Sequence, residues 1–275
     1  MNIFQRILDL LHTKKVIVMS PENPWKKFTF SSENNSNILE VDNDFISEYR
    51  DFLKSKKRKY KQNNSLHLEL FPEPFEGNPN APIYLLGGNP GYDKHDIYWC
   101  KGSDTESQSY LQLMRNNIEH KTEHFVFFER SIQNHKGSKW WNKRICDDLK
   151  NMIFNIEFFP YHSKKMNGLR NFLDQPSAKC LPSNKYVDSL IHNAIKERKV
   201  IIITRLEKYW IERISQFYKD IRRYKNLYIL LNHQSAIVGN GNIVKYAKFE
   251  TLKNKSYKEI VNAAKTSNNG NDDKL

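Results

Sequence analysis

The chain has 275 residues, long enough to bury one substantial core or two small ones. It carries 44 Lys and Arg against 31 Asp and Glu, so a formal net charge of +13 favours polyanionic partners, nucleic acid first among them. No apolar run reaches the ~18 residues of a membrane span, and three scattered cysteines (Cys100, Cys146, Cys180) supply neither a disulfide framework nor a metal knuckle.

In chain order, residues 1–70 read as an N-terminal, helical and basic extension. Its amphipathic start is interrupted by Asp9 and lacks a small-residue cleavage site, so it does not read as a signal peptide, and a soluble cytoplasmic protein is expected. The run 54–61 holds six basic residues in eight, among them Lys57 and Arg58. It reads equally as a phosphate-contacting patch and as a solvated helix end; a nuclear-targeting reading is the cheaper third. A proline-stiffened connection, 71–79, leads to a short apolar run at 83–87. That run breaks into Gly87-Gly88-Asn89-Pro90-Gly91, the way a buried parallel strand ends where backbone must approach a ligand. No Gly-Lys-Ser/Thr follows, so the turn is not a phosphate-cradling P-loop.

Helical stretches at 104–117, 140–152, 184–197 and 206–224 alternate with further apolar runs at 154–159, 200–204 and 227–231. Strand alternating with helix predicts an α/β fold of three layers, α/β/α, around a central four-stranded parallel sheet spanning 71–262. Right-handed crossovers then bring the four strand C-termini to one edge, where ligand sites of open sheets lie. The tail, 263–275, is rich in Ser, Asn, Gly and Asp and reads as disordered.

Three sequence pieces fall at those strand ends: Gly87-x-Asn89-Pro90-Gly91, the run 157–163 around Pro160, and Asn232-His233-Gln234-Ser235. In this order they resemble the uracil-DNA glycosylase superfamily, closest in pattern to its SMUG-type and mismatch-specific branches, over roughly residues 80–250. The iron–sulfur branches need four cysteines and are excluded by the three present. The resemblance implies a monofunctional DNA glycosylase that flips its target base, with no cofactor and no metal. Asn89 would orient the attacking water and His233 would donate to the pyrimidine O2 as charge builds there. Ser235 would hold a phosphate. Ile237 and Val238 would fill the vacated space in the duplex, and Gly239 and Gly241 would tighten that loop. Tyr98 or Trp99 is expected to stack on the base, and an ordinary core role fits either as well. Lys164 and Lys165 are expected on phosphate; a Schiff base with the sugar is the other reading. DNA is the expected partner, and a monomer the expected state.

Two departures from the uracil pattern bear on the base. Gly91 stands where the uracil enzymes of the family close the pocket with a tyrosine, leaving room at C5 of the pyrimidine. Glu157 stands three residues before Pro160, where relatives place a base-reading asparagine; a carboxylate accepts from the cytosine amine and, when protonated, can donate to N3. Asn155, two residues earlier on the same strand face, is the alternative reader, and a surface role for Glu157 is a third. Room at C5 with a cytosine-type reader points to 5-substituted cytosine, such as the hydroxymethylated or glucosylated base of phage DNA, and hence to antiviral defence. Three alternatives remain: repair of uracil or 5-hydroxymethyluracil, a non-catalytic base or nucleotide binder, and a metal nuclease using Asp93, Asp96 and Asp104.

Overall fold

The computed structural model of the protein describes residues 21–33, 35–176, 180–230, 232, 237–239 and 242–246. Within them lies a mixed six-stranded sheet: β1 (Phe75–Gly77), β2 (Ile83–Leu86), β3 (Ile153–Ile156), β4 (Val200–Ile203), β5 (Leu227–Leu230) and β6 (Ile243–Lys245). The order across the sheet is β1-β3-β2-β4-β5-β6. The inner strands β3, β2, β4 and β5 run parallel, and the two outer strands pair antiparallel. The all-parallel, four-stranded expectation is thereby corrected. Its strands exist, but two three-residue edge strands extend the sheet, one of them inside the proline-rich connection. Both edges were hidden by length and composition, since β1 is Phe-Glu-Gly between prolines.

The inner strands are fully buried, as a parallel sheet covered on its faces requires. Eight α-helices are found among the described residues: α1 (Asn43–Lys54), α2 (Arg58–Asn64), α3 (Asp96–Lys101), α4 (Thr105–Ile118), α5 (Lys136–Asn142), α6 (Asn167–Leu173), α7 (Asn184–Lys196) and α8 (Glu207–Ser215). Asp104 caps α4 reciprocally with Ser107, which fixes that start where the sequence placed it. The helix expected at 140–152 is instead the short α5 and a 3-10 turn at Asp147–Leu149. Between them Ile145 makes a β-bridge to Val238, which needs extended backbone. The stretch 206–224 likewise ends its helix at Ser215. None of these helices is long and apolar enough to cross a membrane.

The described part of segment 1–70 is packed into the same core as the sheet rather than appended to it. Trp25 is buried, with its ring 6.3 Å from Tyr161, and Phe45 meets Phe172 edge-on at 5.3 Å. The buried Asp42 accepts from Tyr161 Oη at 2.9 Å and from the Ser183 N–H at 2.9 Å, tying the segment to two later loops. Asn64, at the end of α2, accepts from the Gly168 N–H of α6 at 2.6 Å, and Tyr60 Oη donates to Asn167 O at 3.1 Å. A Cβ on Gly168 would strike Tyr49 Oη and Asn64, so glycine permits this close approach. The consequence is functional, because α6 follows the loop that lines the candidate site.

Candidate active site at the sheet edge

The turns after β2, β3 and β4 converge on one cavity of about 430 Å³ at the C-terminal edge of the parallel strands. Its walls include residues 87–93 after β2, Glu157 and 162–167 after β3, and Thr204 and Arg205 after β4. Backbone hydrogen bonds hold these turns together: Gly87 N–H to Ile156 O at 2.7 Å, Phe159 N–H to Gly88 O at 2.9 Å and Thr204 N–H to Leu86 O at 2.9 Å. Leu206, just past Arg205, is buried with φ at 56°, a left-handed conformation that costs a leucine about 1–2 kcal/mol.

Asn89 lines the cavity, and its amide orientation is set by a chain of donors. Ser163 Oγ donates to Lys165 O at 3.0 Å, which leaves a lone pair for Asn89 Nδ2 at 2.9 Å. The second Nδ2 hydrogen goes to Pro90 O at 2.8 Å. With both hydrogens committed, Oδ1 is the atom left to accept a proton from water; the assignment of N and O follows from this network.

At the floor, Asn155 on β3 and Glu157 just beyond it sit on one face of the strand, as period-two alternation demands. Asn155 Nδ2 donates to Glu157 Oε1 at 3.0 Å. Asn155 Oδ1 and Glu157 Oε2 are both shielded from solvent and have no partner. The two alternative readers of the sequence are therefore one unit. A Cβ on Gly87 would collide with the Glu157 carboxyl, so the first glycine of the turn is what seats that group. Burial drives the Glu157 carboxyl up to about 7, against the opposing pull of the Asn155 amide and the Arg205 guanidinium. It thus keeps its proton far more readily near neutral pH than an exposed glutamate does.

Two further carboxyls line the cavity that sequence reasoning left unassigned: Glu73 and Glu76, both almost fully buried. Glu76 lies on β1 directly opposite Asn155, so the two side chains share a face. Burial raises both carboxyls; their mutual proximity and that of Glu157 push Glu76 well above the usual range, while His162 draws Glu73 back. The signal was available in Pro72-Glu73-Pro74-Phe75-Glu76, two carboxylates in an otherwise apolar stretch. His162 also lines the site, with Nδ1 2.6 Å from Gly91 O, Nε2 2.9 Å from Phe71 O and Nε2 3.5 Å from Glu73 Oε1.

The remaining sequence candidates divide. Lys164 and Lys165 line the cavity and are exposed, as is Lys136, and with the half-buried Arg205 they give a basic rim over an acidic floor. A Cβ on Gly91 would meet nothing within 4 Å, so this position opens onto free space. Lys57 and Arg58 are exposed at the start of α2 and do not line the cavity. Neither Tyr98 nor Trp99 lines it either. Tyr98 is exposed and hydrogen-bonded to Asp104, whereas Trp99 is buried against Tyr110 and His135. The aromatic walls are Tyr92, Phe127, Trp140 and Trp141, and the Arg144 guanidinium lies 3.9 Å over Trp140. Trp140 and Trp141 fall at the start of the stretch 140–152 expected as one helix, whereas Tyr92 lies in the β2 turn and Phe127 in a 3-10 turn, neither of which reads as an aromatic wall in sequence. Ile237 is exposed, but Val238 is buried, its N–H donating to Arg144 O at 2.9 Å, which corrects its expected place as a wedge. Gly239 sits close to Cys146 Sγ. His233, Ser235 and Gly241 lie outside the described residues, as does the tail 263–275. Asp93 pairs with Lys136, and Asp104 caps α4; among the described residues no group of three or more His, Cys, Asp or Glu is arranged to hold a metal ion.

Comparison of the chain with models of protein families, with curated proteins and with solved structures finds no match.

Proposed function

We propose that the chain is a monofunctional DNA glycosylase that excises a 5-substituted cytosine and leaves an abasic site, on the three-layer plan of the uracil-DNA glycosylase superfamily. The observation that carries the reading is the Asn155–Glu157 pair. One Asn155 amide hydrogen goes to Glu157, Asn155 Oδ1 is left as an unpartnered acceptor, and Glu157 Oε2 can carry a proton near neutral pH. Cytosine presents a complementary edge, an amine that donates beside a ring nitrogen that accepts. Uracil presents the opposite edge, which argues against the repair alternative.

The chemistry follows from that pairing. As the bond from C1′ to N1 lengthens, its electron pair moves into the ring, and the Glu157 proton on N3 makes cytosine a competent leaving group. Asn89 Oδ1 holds a water against C1′, which gives its proton up as the new C–O bond forms. An amide is a weak base, sufficient where the sugar already resembles an oxocarbenium ion. By resemblance, His233 assists at O2. The basic rim of Lys136, Lys164, Lys165 and Arg205 suits the phosphates flanking an extruded nucleotide. Phage DNA with such bases would be the target, in defence of the host cell.

The test is incubation of the protein with duplexes holding cytosine, 5-methylcytosine, 5-hydroxymethylcytosine, its glucosylated form, uracil or 5-hydroxymethyluracil, with the freed base identified by mass. Release of a 5-substituted cytosine is expected. Asn89→Ala should lower the rate about 100-fold or more without loss of DNA affinity. Release of uracil alone would refute the assignment, and DNA binding with no base released would favour the non-catalytic alternative.

A further inference from the structure

The same cavity is lined by Glu76 and His135, which the reading of the cytosine edge does not use. Glu76, 2% exposed, has Oε2 buried and without a partner. Opposite in character is His135, 4% exposed, whose Nδ1 accepts from the Gly137 N–H at 3.0 Å. Burial and the nearby His162 depress its basicity to about 3, so the ring is neutral, and the engaged Nδ1 leaves its hydrogen on Nε2. Nε2 is buried with no hydrogen-bond partner, the nearest carboxyl oxygen being Asp96 Oδ1 at 3.8 Å. The two groups belong to one cluster. Tyr110 stacks on His135 at 4.9 Å and donates to Glu73 Oε1 at 3.4 Å, and Glu73 in turn hydrogen-bonds Glu76.

A buried acceptor and a buried donor left unmatched on residues lining one cavity suit a ligand group that both gives and takes a hydrogen bond. A hydroxyl does so; a hydrogen or a methyl does neither. Position is consistent as well. Glu76 faces Asn155 from the next strand, ~4.8 Å across the sheet, and the C5 substituent of cytosine is the neighbour of the amine that Asn155 accepts. We infer that Glu76 and His135 form a subsite for the hydroxyl-bearing 5-substituent of the base and are its specificity determinants. This rests on the cytosine reading of the same cavity.

The experiment separates the two. Binding of free cytosine, 5-methylcytosine and 5-hydroxymethylcytosine is measured by quenching of tryptophan fluorescence, since Trp140 and Trp141 line the cavity, for the wild type and for Glu76→Gln and His135→Phe. The wild type should prefer the hydroxymethyl base to the methyl base by roughly 10-fold or more. Both variants should bring that ratio close to one while leaving cytosine affinity within about two-fold. Thermal melting checks that each variant is folded, and Glu76→Asp and His135→Leu are the substitutes should either fail. Binding of all three bases with an unchanged ratio in the variants overturns the subsite and leaves the cytosine reading intact. Binding of none, with uracil bound instead, overturns both.

Discussion

Replacing Glu157 by glutamine isolates the electrostatic tension at the floor of the cavity. The substitution keeps the shape, and Oε1 still accepts from Asn155, but the ionisable oxygen becomes neutral. A carboxyl that ionises near 4.5 in the unfolded chain and near about 7 in the fold binds its proton more tightly when folded. Its contribution is therefore favourable below the unfolded value and is lost as pH rises through about 7. The loss at pH 8 amounts to at most about 3 kcal/mol, and to below about 1 kcal/mol at pH 5. Part of the elevation of Glu76 comes from the Glu157 charge, so neutralising one relieves the other in the same direction. At roughly 2–4 °C per kcal/mol, Glu157→Gln should raise Tm by about 6–10 °C at pH 8 and by little at pH 5. Differential scanning calorimetry at the two pH values reads this directly. An equal shift at both would mean that packing, not charge, was altered, and a lower Tm at pH 8 would refute the buried, strained carboxyl. The same variant should lose base release, most plainly below pH 7, where the wild-type group carries its proton.

Two other variants probe the supports of the site. Ser163→Ala frees the Asn89 amide to rotate, since its hydrogen-bond partner is gone; kcat should fall about 10-fold, equivalent to ~1.4 kcal/mol, with KM unchanged. An unaltered kcat there would show that Pro90 O alone fixes the amide. Gly87→Ala drives a methyl group into the Glu157 carboxyl and should cost about 1–3 kcal/mol on urea unfolding. In a Glu157→Ala background that cost should nearly vanish, and an additive double-mutant cycle would contradict the contact.

Much of the architecture was legible because parallel strands announce themselves as uniform apolar runs, and Gly-Gly-Asn-Pro-Gly marks where one of them ends. Asn89, Asn155, Glu157, Lys164 and Lys165 were found by asking what stands at such ends, and all line one cavity. What escaped had a common cause. β1 is three residues long with a carboxylate at its centre, and a buried glutamate reads as a surface residue until its neighbours are known. Tyr98 and Trp99 were chosen by distance along the chain, yet α3 turns one to solvent and one to the core. Most of the aromatic walls came from 127–141, where short turns carry no period to read. His162 and Ser163 stood in plain view beside Pro160, but nothing in sequence tells that they touch the β2 turn 71 and 74 residues away.

A chain of net charge +13 that lines one cavity with the buried Glu73 and Glu76 and the half-buried Glu157 has divided its charge by depth. Under the proposed reading, phosphates would be held at the exposed lysines by long-range attraction and none would follow the base inward, because the floor repels an anion where screening is weakest. A neutral heterocycle rich in N–H and O–H groups is the complement that such a floor admits. The leaving base builds up negative charge as the glycosidic bond breaks, and an ionised Glu157 would oppose it. Only the protonated carboxyl turns that opposition into assistance, since its proton meets the developing charge. Burial and the Glu73 charge both act in that direction, which under this reading makes them a means of keeping a proton on Glu157 at a pH where an exposed glutamate would have none.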